Sequence, residues 1–160
     1  METIERTLVL VKPDGVERGL VGSVLHRIER VGLTLAAVES RAPDRDLVAA
    51  HYDDLADEPF YDDLVDYVTG GPVVAAVFEG VEAVTEVRKL VGETAPQDAA
   101  PGTIRGDFAH VSYGHADTAG KPVKNLVHAS EPGSAEKELD IWFPDREFLD
   151  VERVDTAHTQ

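Results

Sequence analysis

The chain contains no cysteine, one tryptophan, one methionine and only 15 lysines and arginines among its 160 residues. Without cysteine it can form no disulfide, and it can use neither a thiolate nucleophile nor a zinc finger. No apolar run approaches the length that is needed to cross a bilayer. We therefore expect a protein stabilised by ordinary side-chain packing, with no membrane contact.

The N-terminus, Met1 to Glu5, carries acidic residues and lacks the basic patch and apolar segment of a secretory leader. We therefore expect a cytoplasmic protein. The length and the 42% share of hydrophobic residues suit one well-packed domain. We predict a single domain over residues 1–160, with a long loop at about 92–124 and a polar C-terminal tail at about 144–160.

Acidic residues outnumber basic ones by 31 to 15, which gives a formal net charge of −16. A broad nucleic-acid surface is disfavoured, because binding of DNA or RNA needs clustered cations. Similar acidity occurs in disordered chains, but those contain few apolar residues, and this chain has dense apolar runs. Because molar salt shortens the Debye length to about 3 Å, we hypothesise adaptation to high salt.

Short apolar runs alternate with segments of helical spacing. The predicted strands lie at 7–12, 33–41, 72–78 and 123–129. The predicted helices lie at 20–31, 44–55, 60–67, 84–91 and 135–143. This order predicts an α+β fold of the ferredoxin-like βαββαβ type, with a four-stranded antiparallel sheet and helices covering one face.

A histidine and a serine interrupt the last apolar run. Strand alternation places His128 and Ser130 on one face of the strand, together with Leu126. That pair suits phosphohistidine chemistry. A lone histidine in a strand is more often a hydrogen-bonded core residue, so the segment by itself leaves both interpretations open.

Neither G-x-x-x-x-G-K-[ST] nor G-x-G-x-x-G occurs, so phosphates would have to be bound by side chains. The candidates are Lys12 at a strand end, Arg88 on a helix, Arg105 in a glycine-containing segment and the hydroxyl of Thr94. Taken singly, each is more often an ordinary surface or loop residue. Cations in apolar or glycine-flanked positions nevertheless carry weight in a chain that has so few of them.

Several segments follow one another in a recognisable order. They are Thr7–Gly15, His51–Tyr52, Pro59–Phe60, Gly71–Val74, Gly92–Thr94 with Pro96, Pro101–Phe108, Asn125–Ser130 and Ser134–Glu138. Their order and spacing resemble the nucleoside diphosphate kinase family over nearly the full length. The resemblance implies reversible γ-phosphoryl transfer between nucleotides through a phosphohistidine, with broad base specificity, Mg²⁺ that arrives with the nucleotide, and a homohexamer.

The resemblance also implies a role for each matching residue. His128 is the implied nucleophile, supported by Tyr52, Ser130 and Glu138. The implied phosphate and ribose contacts are Lys12, Arg88, Thr94, Arg105 and Asn125. Phe60 is expected to pack on the base with Leu64 nearby, although pattern alone makes Phe60 an equally good helix-start residue. Asp54 matches a more weakly assigned acidic position.

The chain departs from the family between Phe108 and Asn125. The connection, residues 109–124, is longer than usual by roughly ten residues, in the kind of surface segment where insertions are tolerated. It puts the family's apolar nucleotide contact in doubt, and we assign none. His110 and His115 are candidates for a transition metal, but two loop histidines are more often solvated.

Two other functions stay open at the level of sequence. One is a catalytically silent nucleotide sensor or scaffold of the same fold, for which the imidazole of His128 would have no chemical use. The other is a histidine phosphocarrier that relays to a protein partner, which would leave Phe60 and the arginines without a purpose.

Overall fold

In the computed structural model, which describes residues 4–145 and 147–160, four strands form one antiparallel sheet. They are β1 (Ile4–Val11), β2 (Thr34–Arg41), β3 (Val73–Val81) and β4 (Val127–Ala129), in the order β2-β3-β1-β4. This order confirms the ferredoxin-like prediction. Residues 1–3, which contributed to the expectation of no leader, and residue 146 of the tail lie outside the described residues.

Nine α-helices are described around the sheet. They are α1 (Pro13–Glu17), α2 (Val21–Glu29), α3 (Arg45–His51), α4 (Tyr61–Thr69), α5 (Ala83–Val91), α6 (Ile104–Phe108), α7 (Tyr113–Ala119), α8 (Ala135–Trp142) and α9 (Thr156–Thr159). Within the described part of the chain, no helix combines the length and hydropathy needed to cross a membrane.

The prediction that helices cover one face of the sheet is wrong, because both faces are covered. Side chains alternate along β1, so that Val9 and Val11 pack in one core and Leu8 and Leu10 pack in the other. The crossover helices α2 and α5 cover the first core, and α3, α4 and α8 cover the second. The unbroken apolar run of β1 is typical of a strand that is buried on both sides.

The segment 92–124, predicted as a long loop, contains a 3₁₀ turn at Pro96–Asp98 and the helices α6 and α7. Both helices begin at a capping hydroxyl, since Thr103 accepts from the backbone N–H of Gly106 and Ser112 accepts from that of His115. Helices of five and seven residues are too short to produce a clear apolar period, which is why the sequence pattern missed them.

The described part of the tail contacts the rest of the domain. Phe148 packs beside the core under α8, and the Arg153 guanidinium donates to the carbonyl of Leu33. A Cβ placed on Gly32 would meet Thr159 of α9 at 2.6 Å, so the last helix lies directly against the turn before β2. The assignment of all 160 residues to one domain stays a prediction.

Candidate active site

A cleft of about 860 Å³ opens beside β4, within the size range of small-molecule sites. Ten of the predicted site residues line it: Lys12, Tyr52, Phe60, Leu64, Arg88, Thr94, Arg105, Asn125, His128 and Glu138. Asp54 lines it as well. Ser130 is fully buried and lies behind the cleft, against Glu138. The fold therefore brings together residues that are spread over more than a hundred positions of the sequence.

His128 and Ser130 share one carboxylate oxygen. Oε2 of Glu138 lies 2.9 Å from Nε2 of His128 and 2.5 Å from Oγ of Ser130. The backbone N–H of Leu8 donates to the same serine oxygen, so the serine proton is directed at Glu138. A carboxylate can only accept, so Nε2 of His128 is the protonated nitrogen and Nδ1 keeps its lone pair.

The electrostatics of the site favour the neutral imidazole. Burial, together with the charges of Lys12, Arg105 and Arg88, holds the pKa of His128 well below its ordinary value. Burial also raises the pKa of Glu138, while the Ser130 hydroxyl acts in the opposite direction. At neutral pH, His128 therefore presents an unprotonated nitrogen and needs no general base.

A sharp turn precedes β4, and it overturns the simple alternation expected for Leu126. Leu126 has φ +70°, and the backbone N–H of Val127 donates to the carbonyl of Asn125 at 2.8 Å across this single residue. Leu126 consequently packs with Val127 in the first core instead of sharing the face of His128. The conformation is a strained one for a branched side chain and must be held by its surroundings.

The Lys-Pro-Asp-Gly sequence at the end of β1 holds this turn. The backbone N–H of Lys12 donates to the carbonyl of Leu126 at 2.8 Å, and the Asp14 carboxylate accepts from the N–H of Leu126 at 3.1 Å. Asp14 is itself held by the Tyr67 hydroxyl. A Cβ on Gly15 would lie 3.0 Å from the Leu126 carbonyl oxygen, so only glycine allows this close approach.

Lys12 is buried at the edge of the cleft. Its Nζ donates to Oδ1 of Asn125 at 2.8 Å, and the Asn125 amide donates to the carbonyl of Thr94 at 3.0 Å. Burial, and then the nearby charge of Arg105, lower the pKa of Lys12 to about 7. An anion in the cleft would restore the full positive charge of this ammonium.

Arg105, predicted to contact phosphate, also holds backbone segments together. Three of its five N–H groups donate to backbone carbonyls, those of Gly92, Asn125 and Val127. It thereby ties the segment after α5 to the turn before β4. Burial, and then the charge of Arg88, lower its pKa to about 10, so it stays charged and keeps two N–H groups for a ligand.

Arg88 is the more accessible arginine, with 41% of its side chain exposed. It donates to the carbonyl of Ala129 at 3.4 Å and lies 4.0 Å from the exposed carboxylate of Glu131. These are weak contacts, and an exposed pair of this kind contributes little to stability. Arg88 is therefore free to turn toward an anion in the cleft.

The sequence profile of the family described as nucleoside diphosphate kinase matches residues 5–148. The chain belongs to the nucleoside diphosphate kinase family. The enzyme class expected from the sequence, a phosphotransferase of this family, is thereby confirmed. Ten predicted residues around one cleft agree with that membership.

Curated members of the nucleoside diphosphate kinase family resemble this chain over most of their length. The nucleoside diphosphate kinase of Natronomonas pharaonis is 46% identical over 157 residues, covering 97% of this chain and 96% of the relative. The nucleoside diphosphate kinase of Frankia casuarinae is 50% identical over 143 residues, covering 89% of this chain and 97% of the relative.

Solved structures of nucleoside diphosphate kinases have the same fold. The Borrelia burgdorferi enzyme, in a transition-state mimic with vanadate and ADP, superposes with a TM-score of 0.90 at 42% identity, over 95% of this chain and 94% of that one. A halophilic enzyme from Halobacterium salinarum, in complex with CDP, superposes with a TM-score of 0.88 at 41% identity, over 99% of both chains.

Residue-by-residue assignment missed His51 and Trp142. Trp142 Nε1 donates to Nδ1 of His51 at 3.1 Å, so the proton of this histidine is on Nε2. The His51 ring stands edge-on to that of His128, with centroids 4.4 Å apart, and burial lowers its pKa to about 3. Its Nε2 has no hydrogen-bond partner. The pairing spans 91 residues, and no local pattern could have indicated it.

One cluster of the described residues has the spacing of a metal site, namely His51, His128 and Glu138. To bind a metal, His51 would have to present a bare Nε2. Nδ1 of His51 already accepts from the Trp142 N–H. If the ring proton moved from Nε2 to Nδ1, the N–H groups of His51 and Trp142 would point at each other with no acceptor between them. The cluster is therefore explained by two separate hydrogen bonds, from His128 to Glu138 and from Trp142 to His51, and not by a metal ion. His110 and His115 are exposed and take no part in it.

Proposed function

We propose that the chain transfers the γ-phosphoryl group of a nucleoside triphosphate to a nucleoside diphosphate through phosphorylated His128. Nδ1 attacks the γ-phosphorus, the bond from phosphorus to the β,γ-bridging oxygen breaks, and the diphosphate leaves with the bonding electrons. A second diphosphate then attacks the phosphorus, and Nδ1 recovers its lone pair. No proton has to move in either half-reaction, since Nε2 keeps its hydrogen throughout.

The observation that carries the proposal is the bond between His128 and Glu138. When Nδ1 takes the phosphoryl group, the ring becomes cationic, and the Glu138 carboxylate 2.9 Å away stabilises that charge. Ser130 donates to the same oxygen and keeps the carboxylate in place. We assign Glu138 and Ser130 as positioning residues.

The phosphates would be bound by side chains instead of a glycine loop. Lys12, Arg88 and Arg105 line one cleft and would share the charge of the transferring group. Tyr52 borders the same cleft and its buried hydroxyl has no hydrogen-bond partner, so we assign this hydroxyl as a donor to a phosphoryl oxygen. We assign Thr94 and Asn125 to the phosphate and ribose contacts.

Phe60 lies half exposed at the cleft, with Leu64 beside it. An aromatic face binds any base without reading the hydrogen-bonding edge. This arrangement supports broad specificity among purine and pyrimidine nucleotides.

The nucleotide would bring Mg²⁺ with it. Glu138 is engaged by two donors, whereas the exposed carboxylates of Asp54 and Asp63 face the cleft and are free to hold waters of a phosphate-bound ion. The donor set therefore fits Mg²⁺ held mainly by phosphates. When bound, the ion would neutralise charge on the β- and γ-phosphates.

The test is transfer of label from γ-labelled ATP. The unmodified protein should take up acid-labile, alkali-stable label and release it to added GDP as labelled GTP. The matched control is His26→Ala, which removes an exposed histidine on α2 and should behave like the unmodified protein. Turnover by a His128→Ala protein would contradict the proposal.

We propose further that the chain is halophilic and assembles as a homohexamer in the cytoplasm. The net charge of −16 and the likeness to a halophilic enzyme support the first point. β2 lies at the edge of the sheet, and Val38 on it is 52% exposed, so a neighbouring subunit would cover apolar surface there. The proposal of six subunits rests on the family resemblance, and the proposal of a cytoplasmic location rests on the sequence.

A silent scaffold and a phosphocarrier are less well supported. The buried network of His128, Glu138 and Ser130 would have no use in a protein that only binds nucleotides. A phosphocarrier would need its histidine at the surface, whereas the His128 side chain retains only 15% of its exposure and faces a cleft of nucleotide size.

A further inference from the structure

Two exposed aromatic side chains border the same cleft. Among the large hydrophobic residues that the structure describes, Phe60 and Tyr113 are the aromatic ones that are substantially exposed, each at 50%. Both line the cleft, although they come from separate parts of the chain. An exposed aromatic ring at a cavity is a common contact for a flat ligand.

The segment that carries Tyr113 is held in a defined position. Ser112 caps the start of α7 by accepting from the N–H of His115, and Gly120, with φ +60°, ends the helix. Ala116 is buried at 2% exposure, and the backbone N–H of Gln97 donates to the carbonyl of Val111 at 3.1 Å. Tyr113 is therefore presented by an anchored helix.

Tyr113 lines the same cleft as Arg105, a side chain expected to contact phosphate. The two charged residues of the segment that border the cleft, Asp117 and Lys121, have opposite signs. The segment therefore brings no net charge to the cleft wall. What it contributes is an aromatic ring, in a chain where only 6% of residues are aromatic.

We propose that Tyr113, supplied by residues 109–124, is a second aromatic contact for the bound nucleoside, in addition to Phe60. The proposal rests on the proposed function, since it assigns a new residue to the same nucleotide site. In this proposal, the additional residues of the connection form one wall of the cleft. Tyr113 acts through binding, so it should affect affinity and not the chemistry at His128.

The test compares three variants for the binding of ADP and CDP by titration calorimetry. Tyr113→Ala should weaken ADP binding by about tenfold, as expected from the loss of one base–aromatic contact, and should weaken CDP binding less because a pyrimidine offers a smaller face. Tyr113→Phe should retain most of the affinity. The matched control, His115→Ala on the exposed surface of the same helix, should leave both affinities unchanged.

Steady-state kinetics and phosphorylation separate this proposal from the one on which it rests. Tyr113→Ala should raise KM with kcat unchanged, and saturating ATP should still phosphorylate its His128 fully. Equal affinities in Tyr113→Ala and His115→Ala would overturn the role of Tyr113. A change of assembly size by light scattering without a change in affinity would make Tyr113 a subunit contact and would also overturn it. If ATP did not phosphorylate His128 in the unmodified protein, the proposed function would be refuted instead.

Discussion

Oε2 of Glu138 lies 2.9 Å from Nε2 of His128. That single contact decides which ring nitrogen is free, because a carboxylate cannot donate a hydrogen bond. It also places a negative charge beside the ring that would become cationic on phosphorylation. The sequence pattern put a histidine and a serine on one face of a strand, and the structure adds the carboxylate to which both donate.

Replacement of Glu138 by glutamine should disable phosphoryl transfer. An amide can donate to Nε2, which moves the ring proton to Nδ1 and removes the nucleophile. We expect kcat to fall by about 10² or more, by analogy with the amide replacement of the orienting carboxylate in a catalytic triad. Glu58→Gln, at an exposed position, is the control. Unaltered kcat in Glu138→Gln, with the fold intact by circular dichroism, would remove Glu138 from the mechanism.

Gly15→Ala should destabilise the fold through the turn at Leu126. Its Cβ would lie 2.8 Å from Cγ1 of Val11 and 3.0 Å from the Leu126 carbonyl oxygen, and such overpacking typically costs about 1–3 kcal/mol. Gly22→Ala is the matched control, since a Cβ there meets nothing within 4 Å and alanine favours a helix by about 0.5–1 kcal/mol. Urea unfolding should move the midpoints in opposite directions. Equal urea midpoints for Gly15→Ala and Gly22→Ala would show that the contact between Gly15 and the Leu126 carbonyl is not tight.

Lys12 should give the stability of the protein a recognisable pH dependence. Its pKa is lowered from 10.5 to about 7 in the fold, so between these values the unfolded chain binds more protons at this site. The free energy of unfolding, relative to a Lys12→Met protein, should therefore rise as the pH increases from 7 toward 10. Below pH 7 the difference should be constant. Parallel pH profiles for the two proteins, measured by urea unfolding, would mean that Lys12 is not desolvated.

Salt should stabilise the protein strongly. At a net charge of −16, self-repulsion opposes the compact state, and molar salt screens it. The thermal midpoint should rise steadily with KCl, and light scattering at the same concentrations should show the larger assembly at high salt. A midpoint that is flat or falls toward molar KCl would refute adaptation to high salt.

The sequence predicted those parts of the fold that depend on local patterns. Strand β1 was clear because Leu8 to Val11 form an unbroken apolar run, and α3 was clear because Asp44 accepts from the N–H of Leu47 as a helix cap. The same unbroken run is also typical of a strand that is buried on both faces, and both faces of β1 are covered in the structure. Short helices such as α7 are fixed by caps and anchoring contacts, which a period of apolar residues does not reveal.

The site was predicted as a set of residues but not as a network. Family resemblance brought Lys12, His128 and Glu138 into one proposal, and the cleft contains all three. It could not reveal that Trp142 fixes the tautomer of His51, or that Leu126 has a positive φ. These features depend on contacts between residues far apart in the chain, and on backbone strain that only the surrounding structure sustains.

The central claim is that Nδ1 of His128 accepts the phosphoryl group, and NMR of the phosphorylated protein tests it most directly. With ¹⁵N-labelled histidine and ATP, the account predicts one phosphohistidine in which phosphorus couples to Nδ1, while the hydrogen stays on Nε2. Phosphorus coupled to Nε2, or acid-stable phosphate on Ser130, would contradict the account.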